Sequence, residues 1–167
     1  MRLSELLRDD VILRDFQAGD KWEAITKLVD HLVATKRVPP DRRHVLLDLI
    51  SARERDQSTG LESGIAIPHA TVAVLEEAVA VLAVARNGIP FQSADGRPAR
   101  LIILYFIPRK YVQKYIRMVA GIAKLLSHAE LREGILNAAA PGDILGIIRR
   151  EEEKEQASIS SAPPPGA

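Results

Sequence analysis

This chain predicts an α/β fold with a central sheet flanked by helices on both faces. Two runs carry the expectation, Ala78-Val79-Ala80-Val81-Leu82-Ala83-Val84 and Leu101-Ile102-Ile103-Leu104-Tyr105-Phe106-Ile107, each apolar at every position and only long enough for a strand. Strands without polar alternation are covered on both faces. The covering layers are supplied by segments of helical period that precede and follow the two runs in the 167-residue chain.

In order, a short helical piece occupies residues 3–7, and Asp20 with Glu23 has the form of a capping box that opens a helix. Trp22, Ile25, Val29 and Leu32 then recur at steps of three and four as its apolar face. The next helix opens near Pro40-Asp41 and runs to about Arg55, with Leu46, Leu49 and Ile50 as its stripe and Arg53 four residues after Leu49 on the same face. Gly64-Ile65-Ala66-Ile67-Pro68-His69-Ala70 reads as a short buried strand that delivers a histidine at its end. Asp95-Gly96 marks a turn between the two long strands. Helical period returns from Tyr111, with Val112, Tyr115, Val119, Ile122 and Leu126, and further helices follow at 129–136 and 143–150. Residues 1–150 thus read as a single domain. Residues 151–167, a charged run followed by serine, alanine and proline, read as a disordered tail.

Composition excludes several classes of function. No cysteine is present, so disulfides, thiolate metal sites and a cysteine nucleophile are absent, and a cytoplasmic location is expected. Twenty-three basic against twenty-two acidic residues give a net charge of +1 without a one-sided basic stripe, so nucleic acid is not an expected partner. The N-terminus has no signal-peptide core, no apolar run reaches the roughly 20 residues that span a bilayer, and no membrane insertion is expected. Neither metal-ligand spacing nor a phosphate-binding glycine loop occurs, and no cofactor or metal is expected.

The chemistry concentrates on His69. Pro68 fixes its own φ and pushes Ile67 towards extended geometry, so the imidazole leaves the strand in a nearly set direction. Arg53, Ser58, Thr59, Gly60 and Gly64 lie upstream and offer a permanent cation, two hydroxyls and two permissive backbone positions, a set that suits an anion. A neutral imidazole attacks phosphorus, and such donors stabilise the charge on the transferred group. Each residue also has a plainer role open to it. Arg53 can snorkel along apolar surface, Ser58 and Thr59 can serve a turn or cap, and Tyr115 can be a half-buried packing residue. His31, His44 and His128 lack convergent partners and read as surface or capping residues.

In order and spacing, Arg53-Glu54, Ser58-Thr59-Gly60 and Gly64-Ile65-Ala66-Ile67-Pro68-His69 resemble the active-site signature of a known family. This is the enzyme IIA (EIIA) family, fructose/mannitol class, of the phosphoenolpyruvate:sugar phosphotransferase system (PTS), including its nitrogen-regulatory branch. Gly88-Ile89-Pro90-Phe91, Asp95-Gly96 and residues 101–108 resemble its next block, and the likeness covers residues 1–150. The resemblance implies helices around a mixed sheet, with His69 taking a phosphoryl group from an HPr-like phosphocarrier protein and Arg53 as the cation beside it. Three places depart from the family pattern: Glu62-Ser63 before the second glycine, Ala70-Thr71 after the histidine, and Tyr115 where the family has its second active-site histidine. By this likeness the chain is a phosphotransferase that passes its phosphoryl group to a sugar-transporter domain or uses it as a regulatory switch. The alternative is a regulatory module of the same fold that controls a protein partner without phosphoryl transfer. The absence of transporter segments within the chain points towards regulation.

Overall fold

Consecutive burial along the two apolar runs builds the sheet outward from its centre. The computed structural model describes residues 2–160 and contains β1 (Ile12–Leu13), β2 (Ile65–Ala66), β3 (His69–Val72), β4 (Val79–Ile89) and β5 (Ala99–Pro108). The order is β1-β4-β5-β2, with β3 also on β5. β4 and β5 form an antiparallel pair, whereas β1 lies parallel to β4, and β2 and β3 lie parallel to β5, which makes the sheet mixed. Residues 80–85 and 101–108 are buried without interruption, so both faces of the central pair are covered. The helices are α1 (Leu3–Leu6), α2 (Lys21–Ala34), α3 (Arg43–Asp56), α4 (Val112–Ser127), α5 (Ala129–Asn137) and α6 (Pro141–Ser160).

Local chemistry sets the helix ends. The Asp20 carboxylate accepts the Glu23 amide at 2.9 Å, while the Glu23 carboxylate reaches back one residue further than expected, to the Gly19 amide at 2.8 Å. α2 buries Ala24, Ile25, Leu28, Val29 and Leu32. Trp22 is not part of that face: it is 37% exposed, and Lys21 beside it is buried. The reason is an ion pair across to α3, described below. On α3 the buried stripe is Leu46, Ile50 and Glu54, and Leu49 is 40% exposed. α4 packs through Met118, Ile122, Leu125 and Leu126, and its opening turns overhang the sheet, leaving Val112 exposed and Tyr115 half-buried.

The charged run from residue 151 corrects the expected disorder. It continues α6 as helix to Ser160, and residues 161–167 lie outside the described residues. The Glu152 carboxylate accepts the Leu3 amide at 2.8 Å, the Ser4 amide at 3.4 Å and the Ser4 hydroxyl. Those amides open α1 and have no partner within so short a helix, so an acidic side chain from α6 completes it. Glu151 meets His128, at the junction of α4 and α5, at 2.8 Å.

Candidate functional site

A proline in the middle of an edge strand decides where the histidine goes. Pro68 has no amide to give, so the strand predicted to end at His69 is split, and His69 begins β3 instead of ending a single strand. Register survives the break: Ala66 pairs with Ile102 and His69 with Tyr105, the same offset on β5. The Pro68 carbonyl accepts the Tyr105 amide at 3.1 Å and holds the two strands together across the gap. Upstream, Gly64 adopts φ +75°, and its carbonyl takes the Arg100 and Leu101 amides at 2.8 and 3.0 Å, which starts the pairing. A side chain at Gly60 would meet the Phe91 carbonyl at 2.8 Å, so the approach of these two loops requires glycine.

His69 is buried, 7% exposed, although the sequence suggests a ring at an open strand end. Its Nδ1 lies 2.5 Å from the Ile67 carbonyl oxygen. A carbonyl can only accept, so Nδ1 carries the proton and Nε2 keeps the lone pair. Tyr105 stacks on the imidazole with ring centroids 5.4 Å apart and planes 19° apart. Tyr115 of α4 covers the same ring at 5.3 Å and a 60° tilt. Arg53, half-buried near the end of α3, donates to the Gln57 carbonyl at 3.0 Å. Its charge is felt by His69, Tyr105 and Tyr115 alike.

These surroundings fix the protonation states. Burial pushes the His69 imidazole below its ordinary value of 6.5; the Ile67 carbonyl pulls it back, the Arg53 charge lowers it further, and Glu54 opposes that. The ring is therefore neutral at neutral pH, with a lone pair on Nε2. Burial raises the Tyr115 phenol, and Arg53 and then Thr71 work against that rise through its hydroxyl.

Ser58 and Thr59 stand apart from the imidazole in their bonding. The Ser58 hydroxyl donates to the Phe91 carbonyl at 2.5 Å, and the Thr59 hydroxyl donates to Glu54 at 2.6 Å. Glu54 also accepts the Thr59 amide at 3.0 Å and pairs with Lys21 Nζ at 3.1 Å, all under cover. The two hydroxyls thus anchor the loop between α3 and β2; Tyr105 and Tyr115 are the side chains packed on His69, and Arg53 acts on it through its charge. No group of three or more histidine or carboxylate side chains among the described residues could hold a metal ion. Nor is any described helix long and apolar enough to cross a membrane.

The family model described as "Phosphoenolpyruvate-dependent sugar phosphotransferase system, EIIA 2" matches residues 5–151. The chain belongs to this EIIA family. It is 29% identical over 154 residues to the fructose-specific EIIABC component of Bacillus subtilis, a match over 92% of this chain and 24% of that protein. The chain thus spans about a quarter of that relative. It is 29% identical over 128 residues to the fructose-specific EIIA component of Haloferax volcanii, covering 77% of this chain and 82% of that one. Among solved structures, the nitrogen regulatory protein IIA-Ntr of Neisseria meningitidis superposes with a TM-score of 0.80 at 23% identity, over 87% of this chain and 98% of that one.

Sequence reasoning about this EIIA protein gave no role of their own to Tyr105, Glu54, Lys21 and Thr71. Glu54 had a signal, because it continues the stripe of Leu46 and Ile50 at the next fourth position. Lys21 and Thr71 offered none. Tyr105 lay inside a continuous apolar strand, and only the register of β3 on β5 reveals that it faces the histidine.

Proposed function

We propose that His69 accepts a phosphoryl group on Nε2 from an HPr-like phosphocarrier protein and passes it on. The observation that carries this reading is the Nδ1 contact with the Ile67 carbonyl, which leaves Nε2 as the nitrogen with a free electron pair. The Nε2–P bond forms as the P–N bond of the donor phosphohistidine breaks, and the donor imidazole leaves with the electron pair of that bond. The Nδ1 proton has no base to go to, since a backbone carbonyl does not take it. With Nδ1 still protonated, the imidazole departs as a neutral ring when the phosphoryl group moves on. Arg53 supplies a fixed positive charge and guanidinium hydrogen bonds for the phosphoryl oxygens, and the Tyr115 phenol gives a neutral one. The recipient is a sugar-specific transporter domain or a regulated protein, and the same step serves both fates, because the phosphoryl group changes the charge of this face by about two units.

The test is incubation with phosphoenolpyruvate labelled with 32P in its one phosphate group, together with the two upstream proteins of the system. The chain takes up one acid-labile label, and His69→Ala takes up none. Label retained by His69→Ala contradicts the assignment.

A further inference from the structure

Tyr105 is fully buried, and its hydroxyl has no hydrogen-bond partner among the described residues. A phenylalanine would fill almost the same space without the cost of a buried, unsatisfied hydroxyl, so the group needs a reason. Its position supplies one. Tyr105 is the register partner of His69, on the same side of the sheet, and its ring lies stacked on the imidazole at 5.4 Å. The Tyr115 ring closes over both, 5.3 Å from His69 and 6.1 Å from Tyr105. The unpartnered hydroxyl is therefore carried by a ring that packs directly on the nucleophile.

We propose that the Tyr105 hydroxyl is a donor held in reserve for the phosphoryl group on His69, unpartnered in the resting protein and satisfied when the group arrives. This rests on the reading of His69 as acceptor. Burial raises the Tyr105 phenol far above its ordinary value, so the proton is present at any working pH. With Arg53 and Tyr115, Tyr105 makes a third contact, one that reaches the phosphoryl group from beneath the ring. Its consequence is linkage: phosphorylation stabilises the fold by pairing a group that the resting fold leaves unpaired.

The experiment compares the full chain with Tyr105→Phe, which keeps the stacked ring and removes only the hydroxyl. Potassium phosphoramidate serves as donor, its P–N bond breaking as Nε2–P forms and ammonia leaving. Three quantities are read: label on His69, lifetime of the phosphohistidine, and thermal midpoint before and after labelling. Resting Tyr105→Phe is expected to melt a few degrees above wild type, and phosphorylation to raise the wild-type midpoint more than that of the variant. Phosphohistidine in Tyr105→Phe is expected to decay about tenfold to a hundredfold faster, the worth of one hydrogen bond to a charged acceptor. In wild type labelled with 13C at the tyrosine ring, the Cζ resonance of Tyr105 is expected to move on phosphorylation, a reading independent of any variant. Label on His69 in both proteins with equal lifetimes, equal midpoint shifts and a stationary Cζ resonance overturns this proposal alone. No label on His69 in wild type overturns the acceptor reading and this inference with it.

Discussion

Tyr115 packs on the imidazole and the Arg53 charge acts on it, each from a different helix, and their contributions separate by charge. Arg53 offers a cation and a planar fork, so Arg53→Lys keeps the Coulomb attraction and loses the paired geometry, while Arg53→Ala loses both. Phosphoryl acceptance is expected to fall about tenfold for lysine and about a hundredfold for alanine, measured by rapid-quench labelling, with midpoints near wild type. Equal rates for all three proteins would remove Arg53 from the chemistry. The His69 titration gives a second expectation at this scale. Its folded value is lowered by burial, so the unfolded chain binds a proton that the folded chain refuses. The stability that His69 contributes is therefore fully present above its ordinary value of 6.5 and is lost as pH falls from there through the lower folded value. Thermal midpoints of wild type against His69→Gln, scanned from about pH 8 to pH 5, should converge as pH falls, and a constant gap contradicts the assigned shift.

Among the elements, α6 departs most from what composition suggests. A run of five charged residues, 151–155, reads as solvated tail, yet Glu151 and Glu152 are tied to His128 and to the opening of α1. Truncation after Arg150 is expected to lower the thermal midpoint by a few degrees and to loosen α1, seen as faster amide exchange at Leu3 and Ser4. Unchanged exchange there would show that the contacts contribute nothing. The contrast tells what was legible. Long apolar strands and capped helices are local patterns, and β4, β5 and α2 stand where those patterns put them. The run from Arg53 to His69 was legible because chain order already brings these residues near one turn. Tyr105 and the Lys21–Glu54 pair were not, because each depends on the register of one segment against a distant one. Lys21 and Trp22 exchange their expected places for that reason: the buried carboxylate of Glu54 draws the lysine inward, and the indole is left outside with the Arg55 guanidinium 5.4 Å from its ring. Of the two roles open to Ser58 and Thr59, phosphate donor or turn and cap residue, the sequence could not choose, since nothing local announces that Phe91 and Glu54 take their hydroxyls.

At the scale of the whole molecule, a sheet buried on both faces presents one neutral imidazole beside a basic helix. Residues 109–129 contain five basic side chains and no acidic one, although the net charge of the chain is only +1. That local excess favours an incoming phosphoryl group over the average field of the protein. The sheet fixes the rest: pairing to β5 sets His69 over Tyr105, the Pro68 break turns the Ile67 carbonyl onto Nδ1, and α3 and α4 supply the Arg53 charge and the Tyr115 ring. The central claim is that this arrangement leaves Nε2 of His69 as the phosphoryl acceptor. It is tested most directly by 31P–15N correlation on histidine-labelled protein after phosphorylation. One phosphorus resonance coupled to Nε2 of His69, with Nδ1 still protonated, is the predicted result, and coupling to Nδ1 or to any other histidine would contradict it.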